Sequence, residues 1–229
     1  MAKRMKAANE GLDKMKLHTL GAAVKELKTR SKVKFDETVD VAIVLGIDPK
    51  QSDQLVRGMV AMPNGLGKSV RVAVFAKGPA AEAAKKAGAE LVGGDEIAEQ
   101  VQKGIIEFDV CIAAPDMMGV VGKIGKILGP KGLMPNPKLG TVTPNVEAAV
   151  KAAKAGQVEF KVEKAAIIHA GVAKASFTEE AIAGNIKAFV DAVAKAKPAG
   201  VKGDYIKKIS ISSTMGPGFK LDLSDVLAA

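Results

Sequence analysis

The stretch VRVAVFAKGPAAEAAKKAGAELVGGDEIAEQVQKGIIEFDVCIAAP (residues 70–115) decides the fold, because its hydrophobic pattern changes repeatedly along the chain. Short apolar runs predict strands at residues 70–76, 89–94 and 108–115. Alanine-rich, charged segments between them predict helices at residues 79–88 and 95–104. Strands that alternate with helices of about ten residues are typical of a parallel sheet with crossover helices.

The sequence on both sides of this stretch has a different style. Alternating apolar and polar residues predict strands at residues 39–46, 158–164, 166–177 and 205–213. Helical spacing predicts helices at residues 5–30, 143–156 and 178–196, the first with a break near Thr19 and Gly21 and the second still part of the strand–helix rhythm, which changes back from Val158. Ser176 and Glu179 have the spacing of a capping box at the start of the third.

The two styles predict an inserted domain. We expect an α+β split domain, an antiparallel sheet with helices, formed by residues 1–66 and 159–229. It would carry an inserted α/β, Rossmann-like domain at residues 67–158, reached through two linker strands.

Composition restricts the class of protein. With 229 residues and 48% hydrophobic residues, the chain can bury a substantial core. No apolar run approaches the roughly 20 residues of a membrane helix, and the basic N-terminus lacks the apolar core of a secretory signal. The single cysteine, Cys111, lies in an apolar strand, favours a core role and fits a reducing compartment. We therefore expect a cytoplasmic protein with no membrane partner.

The charge distribution indicates a polyanionic partner. The net charge is +9, and residues 1–34 hold ten basic and three acidic residues, so +7 of it lies there. A solvated basic helix face is the alternative. Aromatic residues are only 3% of the chain, with no Trp, which argues against rows of stacked bases. An RNA partner would be recognised by shape, backbone and 2′-OH contacts.

The segment GKIGKILGPKGLMPNPKLG (122–140) has five glycines, four lysines, three prolines and no acid. Glycines let the backbone approach a ligand closely, and lysines attract phosphate. We interpret it as a basic loop that contacts a nucleic-acid backbone, with a turn-rich connector as the alternative. Ribosomal RNA, mRNA, tRNA and DNA all remain open on these grounds. The candidate contacts are Lys123, Lys126, Gly129, Lys131, Gly132 and Lys138.

Two further segments are candidates for a surface or for ordinary structure. SSTMGPG (212–218) predicts a turn with exposed hydroxyls and bare backbone, in which Gly216 can adopt angles closed to other residues. An ordinary turn is the alternative. KFDET (34–38) could simply lead into a strand, with Phe35 in the core.

The sequence lacks the complete residue patterns of several common ligand-binding sites. GLGKS (65–69) resembles a phosphate-binding loop, but Met62 occupies the position of the first glycine and no strand precedes it. No dinucleotide fingerprint occurs. His18 and His169 are far apart in sequence, and one cysteine cannot complete a zinc set. We expect no cofactor, no metal and no catalytic residue, which argues against the rival interpretation of a nucleotide-dependent or metabolic enzyme built on residues 67–158.

Four motifs together resemble one family. Residues 122–142, GIDPKQSDQLVRG (46–58), KASF (174–177) and STMGPG (213–218) are similar to the bacterial form of the L-one family of large-subunit ribosomal proteins. The resemblance covers nearly the whole chain, and GPKGLMPNPKLGTV (129–142) is very specific to that family.

The resemblance implies a fold and a function. The family's split domain binds large-subunit rRNA at the base of a mobile stalk beside the tRNA exit site, and its second domain adds weaker contacts and leans over the exit channel. Bacterial members also repress translation of their own operon mRNA, whose leader imitates the rRNA site. The implied partners are thus rRNA, the mRNA leader and exit-site tRNA, without homo-oligomers. A free translational regulator outside the ribosome is the alternative.

The resemblance also implies site residues, carried over by motif. The rRNA site would use Lys34, Phe35 and Thr38 from KFDET, Lys174 and Ser176 from KASF, and Thr214, Met215, Gly216 and Gly218 from STMGPG. The segment 122–140 would be the secondary contact.

Overall fold

The structure is a computed structural model that describes residues 3–13, 15–201 and 203–227. It contains mixed helices and strands in several sheets, and it divides into two compact units. Unit 1 comprises residues 1–67 and 158–229, and unit 2 comprises residues 68–157. Within the described ranges, no helix is both long enough and apolar enough to span a bilayer.

The elements are numbered in chain order. The helices are α1 Lys3–Ala8, α2 Leu20–Arg30, α3 Pro79–Lys86, α4 Asp95–Gln102, α5 Met118–Lys123, α6 Gly125–Leu128, α7 Val146–Gly156, α8 Glu179–Lys195 and α9 Leu223–Leu227. The strands are β1 Leu17–His18, β2 Thr38–Leu45, β3 Arg57–Ala61, β4 Val72–Phe75, β5 Leu91–Gly93, β6 Val110–Ala113, β7 Gln157–Lys161, β8 Ile167–Lys174, β9 Ile206–Ser213 and β10 Gly218–Leu221. Short 3-10 helices cover Ser52–Gln54, Pro115–Met117 and Pro137–Leu139.

Unit 1 is built on a five-stranded sheet in the order β1-β10-β9-β2-β8. Only the β1–β10 pair is parallel, and β2 runs antiparallel to both β8 and β9. Alternate residues of β2 are buried, as the period of a half-buried strand requires. These residues pack into one core with the apolar positions of α2 and α8. The antiparallel sheet with helices predicted for the chain ends is confirmed.

Unit 2 has a parallel three-stranded sheet in the order β5-β4-β6. The central strand β4 is buried on both faces, because Ala73 and Phe75 enter one core while Val72 and Val74 enter another. The first core takes residues from α4, α5 and α6, and the second takes residues from α3 and α7. The parallel sheet predicted from residues 70–115 is therefore present. Cys111 is buried in β6, as predicted, and burial raises the pKa of its thiol to about 12.

The strands β3 and β7 form a separate two-stranded sheet. The Arg57 guanidinium lies 2.8 Å from the Glu159 carboxylate, which joins the two strands. Gly58 is required by packing, since a Cβ there would lie 2.6 Å from the ring of Phe160. The chain thus leaves and re-enters unit 1 through paired strands.

The break predicted near Thr19 and Gly21 in the helical segment 5–30 is present, but it begins earlier than predicted and extends from Asn9 to Thr19. Helix α1 ends at Ala8, and Gly11 has a φ of 68°, which an uninterrupted helix cannot accommodate. The chain then pairs β1 with β10 before α2 begins at Leu20. Neither β10 nor α9 was predicted, because FKLDLSDVLAA (219–229) is too short to show a clear period.

The buried side-chain amide of Asn185 on α8 fixes the segment that follows β3. Asn185 is fully buried, and its Nδ2 group donates to the carbonyls of Gly65 (2.9 Å) and Val172 (2.8 Å). Its Oδ1 atom accepts the backbone N–H of Asn64 at 3.1 Å. One side chain therefore connects the segment after β3 with β8 and α8.

We expect Asn185→Ala to lower the free energy of unfolding of unit 1 by about 2–3 kcal/mol, because two buried carbonyls are left without their donor. Tyr205 is the only tyrosine and the chain has no Trp, so tyrosine fluorescence in urea reports on unit 1 alone. Lys195→Ala, an exposed change on the same helix, is the matched control and should shift the midpoint little. Equal midpoints for the two variants would contradict the role given to Asn185.

Candidate nucleic-acid interface

Three of the singled-out segments meet at one end of the unit 1 sheet. Strand β2 lies between β8 and β9 and is antiparallel to both, so its first residues lie beside their last residues. Thr38 pairs with Lys174, and Val39 pairs with Ser213. We call residues 34–38, 174–177 and 213–218 together the sheet-end surface.

Glu37 is the buried centre of the sheet-end surface, with only 1% of its surface exposed. Its carboxylate accepts the backbone N–H of Met215 at 2.8 Å and the hydroxyl of Ser31. Its backbone carbonyl accepts the N–H of Ala175 at 2.8 Å. Sequence reasoning missed this residue, because an acid one position before a strand has no signal that separates a buried acceptor from a solvated charge.

Thr38 and Thr214 are joined through their backbones and one hydroxyl. The Thr214 N–H donates to the Thr38 carbonyl at 3.1 Å, and the Thr214 hydroxyl accepts the Thr38 N–H at 2.9 Å. The Lys174 ammonium donates to the Thr38 hydroxyl at 3.0 Å. The Thr214 hydroxyl, expected to face a ligand, is therefore already used to fix the turn.

Ser176 belongs to the sheet-end surface and not to the start of α8. Its backbone N–H and its hydroxyl donate to the two oxygens of Asp36, at 3.1 and 2.8 Å. The residue that caps α8 is Thr178, whose hydroxyl accepts the N–H of Ala181 at 3.2 Å. The predicted capping box was wrong, because a second hydroxyl two residues later fits the helix terminus.

Two large apolar side chains project from the sheet-end surface into solvent. Phe35 is 54% exposed and Met215 is 43% exposed, so the alternative that Phe35 fills the core is wrong. Lys34, Thr214 and Gly218 are also exposed. The surface therefore offers apolar side chains, a cation, hydroxyls and bare backbone on a scaffold fixed by internal hydrogen bonds.

The turn between β9 and β10 uses its glycines differently from what the sequence indicated. Gly216 donates its N–H to the Ser213 carbonyl at 3.1 Å, and its φ is not in the left-handed region. A Cβ at Gly216 would overlap the hydroxyl of the buried Ser213, so a larger residue fits there only if that hydroxyl moves. Gly218 is the first residue of β10, and the nearest atom to a Cβ there is the Ile211 carbonyl oxygen at 3.9 Å.

The basic segment 122–140 of unit 2 is only partly a loop. Its first third consists of the end of α5, Ile124 and α6, and Ile124 and Leu128, four residues apart, are fully buried in a core. The predicted flexible loop is wrong there. Beyond Leu128 the chain turns at Gly132 and Gly140, whose φ angles are 73° and 69°. The end of the segment is then attached to β6, because the carbonyl of the next residue, Thr141, accepts the N–H of Ala113 at 2.9 Å.

The segment presents uncompensated positive charge. Lys123, Lys126 and Lys131 are exposed, and no carboxylate of the described residues lies within 4 Å of their ammonium groups. Gly129 and Gly132 are exposed beside them. The side chain of Lys138 lies outside what the structure describes.

Residues 27–217 match the model of the ribosomal protein L1p/L10e family. The chain belongs to this family. The matched region contains KFDET, KASF and the basic segment of unit 2, and it extends to Pro217 in the turn between β9 and β10. The resemblance stated from the four motifs is confirmed.

Membership of the L1p/L10e family gives the chain its class. It is a protein of the large ribosomal subunit that binds rRNA. The family is one of structural RNA-binding ribosomal proteins and not of enzymes. Its members' RNA-binding role gives the converging motifs and the exposed lysines a common chemical context.

The two glycines of the turn give a matched pair of variants. We expect Gly216→Ala to lower the free energy of unfolding by about 1–3 kcal/mol, since it forces extra volume onto Ser213. Gly218→Ala should keep wild-type stability and weaken binding of an rRNA fragment severalfold if RNA lies on that backbone. Tyrosine fluorescence in urea and RNA titration are the measurements. A Gly216→Ala protein with the wild-type midpoint would contradict the packing role, and unchanged affinity in Gly218→Ala would remove Gly218 from the contact surface.

The lysines of unit 2 are tested by salt dependence. Replacing Lys123, Lys126 and Lys131 with Ala should weaken rRNA binding modestly and flatten the plot of log Kd against log salt, by roughly 0.7–0.9 for each phosphate that is no longer neutralised. The control removes three exposed lysines of the same unit elsewhere, Lys85, Lys86 and Lys103. If both triple variants show the same slope, the first set is merely solvated.

Proposed function

We propose that the sheet-end surface is the principal rRNA-binding site and that it recognises the rRNA at the base of a mobile stalk beside the tRNA exit site. The observation that carries the proposal is the convergence of KFDET, KASF and STMGPG at one end of the sheet. Segments from three distant parts of the chain are held together there by hydrogen bonds and present exposed Phe35 and Met215.

The residues have separable chemical tasks in this proposal. Lys34 and Lys174 supply positive charge toward phosphate, and an ammonium group has three donors, of which the Thr38 hydroxyl and the Asp36 carbonyl take two in Lys174. Phe35 and Met215 cover a sugar or a base edge with apolar surface. Ser176 and Thr214 hold the segments in place, and Gly216 and Gly218 let the RNA backbone approach the turn. Recognition of 2′-OH groups then selects RNA over DNA.

Unit 2 has a secondary role in the proposal. The fold that we infer is a split α+β domain, residues 1–66 and 159–229, carrying a Rossmann-like domain at residues 67–158. The exposed lysines of unit 2 add contacts of lower specificity, because charge attraction to phosphate reads no sequence. A unit of this kind over the exit channel would assist the release of exit-site tRNA.

The same surface would repress the operon that encodes the protein, provided that the mRNA leader imitates the rRNA site. Adding the purified protein to cell-free translation of its operon mRNA should reduce synthesis, and the rRNA fragment should restore it by competition.

A free translational regulator is the alternative, and sedimentation distinguishes it from a ribosomal protein. A ribosomal protein travels with the large subunit, while a free regulator stays at the top of the gradient.

The division of labour is tested by removing unit 2. We expect residues 1–66 joined to 159–229 by a short Gly-Ser linker to bind the rRNA fragment within about tenfold of the full chain, because the three converging segments are all retained. Tyr205 fluorescence checks folding, and Phe35→Ala with Met215→Ala in the same shortened protein is the control that should abolish specific binding. Tighter specific binding by the isolated 67–158 piece would overturn the assignment.

A further inference from the structure

Helices α1 and α2 enclose a groove of about 380 Å³ in unit 1. Among the described residues, its charged lining consists of the cations Arg4, Arg30 and Lys32 and the acid Glu26. Ala7 and Ala8 of α1 and Thr29 complete the lining. The groove is therefore concave, lined in part by small side chains, and positively charged. The family match begins at residue 27, which leaves α1 and the first half of the groove outside it.

Arg30 is occupied by the fold. Its guanidinium pairs with Glu26 at 2.8 Å and donates to the carbonyls of Ala8 at 2.8 Å and Glu10 at 3.0 Å. The hydrogen bond from Arg30 lowers the pKa of Glu26, so that this carboxylate stays ionised and cancels the charge of its partner. Arg30 thus attaches the end of α1 to α2, and the groove keeps the charge of Arg4 and Lys32.

Arg4 connects the groove to the sheet-end surface. One of its terminal nitrogens donates to the carbonyl of Met215 at 3.0 Å. A guanidinium has five N–H groups in a planar fork, so donors remain for an anion. Lys32 is exposed two residues before Lys34 and makes no hydrogen bond to any described residue. Neither cation has a carboxylate within 4 Å in the described part of the chain.

We propose that the α1–α2 groove is a phosphate-binding subsite, in which Arg4 and Lys32 contact the backbone of the same RNA that lies on the sheet-end surface. This inference rests on the proposed function. RNA fits the groove better than an acidic peptide does, because the hydrogen bond from Arg4 places the groove next to the turn that carries exposed Met215. RNA bound on the sheet-end surface therefore reaches the groove. Phosphate is the RNA group that an arginine fork and a flexible lysine both bind.

The test uses the full-length chain and an rRNA fragment titrated across potassium chloride concentrations. We expect Arg4→Ala and Lys32→Ala each to weaken binding about five- to twentyfold at low salt and to lower the log–log salt slope by roughly 0.7–0.9. Lys6→Ala is the matched control, since it removes one exposed charge from the same helix α1 and does not line the groove. Its slope should equal that of the wild type.

A purely structural role gives a different result. If Arg4 only positions Met215, Arg4→Ala weakens binding with an unchanged slope, and Lys32→Ala binds like the wild type; that pair of results overturns the proposal. A groove that binds an acidic peptide gives the same unchanged slopes.

Phe35→Ala distinguishes failure of the groove proposal from failure of the sheet-end surface. Weakened binding in Phe35→Ala with wild-type slopes for Arg4→Ala and Lys32→Ala rejects the groove alone, whereas unchanged affinity in Phe35→Ala rejects the sheet-end surface itself.

Discussion

The sheet-end surface depends on one buried carboxylate. Glu37 touches the turn between β9 and β10 through Met215, the end of α2 through Ser31, and the end of β8 through Ala175. Burying a charge is costly unless hydrogen bonds replace its water, and here an N–H and a hydroxyl do so. The carboxylate is satisfied only when the turn and the end of α2 are both in place, and the backbone carbonyl of the same residue bonds the end of β8, so Glu37 makes the positions of these segments mutually dependent.

That dependence explains why few of the motif residues are free. The Thr214 hydroxyl, the Asp36 carboxylate and the Ser176 hydroxyl all bond within the protein, while Phe35 and Met215 remain exposed. A rigid scaffold reduces the conformational entropy that binding would otherwise remove. The polar residues therefore contribute by holding the apolar side chains and the backbone in one arrangement, and weaker binding on mutating them would not by itself identify a contact.

Much of the fold follows from local sequence pattern. The alternation in β2 and the strand–helix rhythm of residues 70–115 have single physical interpretations. The antiparallel sheet of unit 1 and the parallel sheet of unit 2 were therefore predictable. The missed features depend on distant partners. Strand β1 has two residues and exists because β10 pairs with it, and Glu37 is buried because Ser31 and Met215 come to it. The Gly216 packing against Ser213 likewise cannot be read from turn propensity, because the φ of Gly216 lies outside the left-handed region and the contact depends on the fold of the turn.

The two basic regions of the chain differ in how firmly the protein holds their cations. In unit 1 the cations adjoin a surface held by directional hydrogen bonds, and Arg4 itself bonds to the turn. In unit 2 the exposed lysines lie on the short helices α5 and α6 and just after them, where buried Ile124 and Leu128 fix the backbone but leave the ammonium groups unrestrained. Fixed donors can discriminate between RNA shapes, whereas long flexible side chains act mainly through charge and are screened by salt. On the proposed function, specificity therefore resides in unit 1, and unit 2 adds affinity that falls as ionic strength rises.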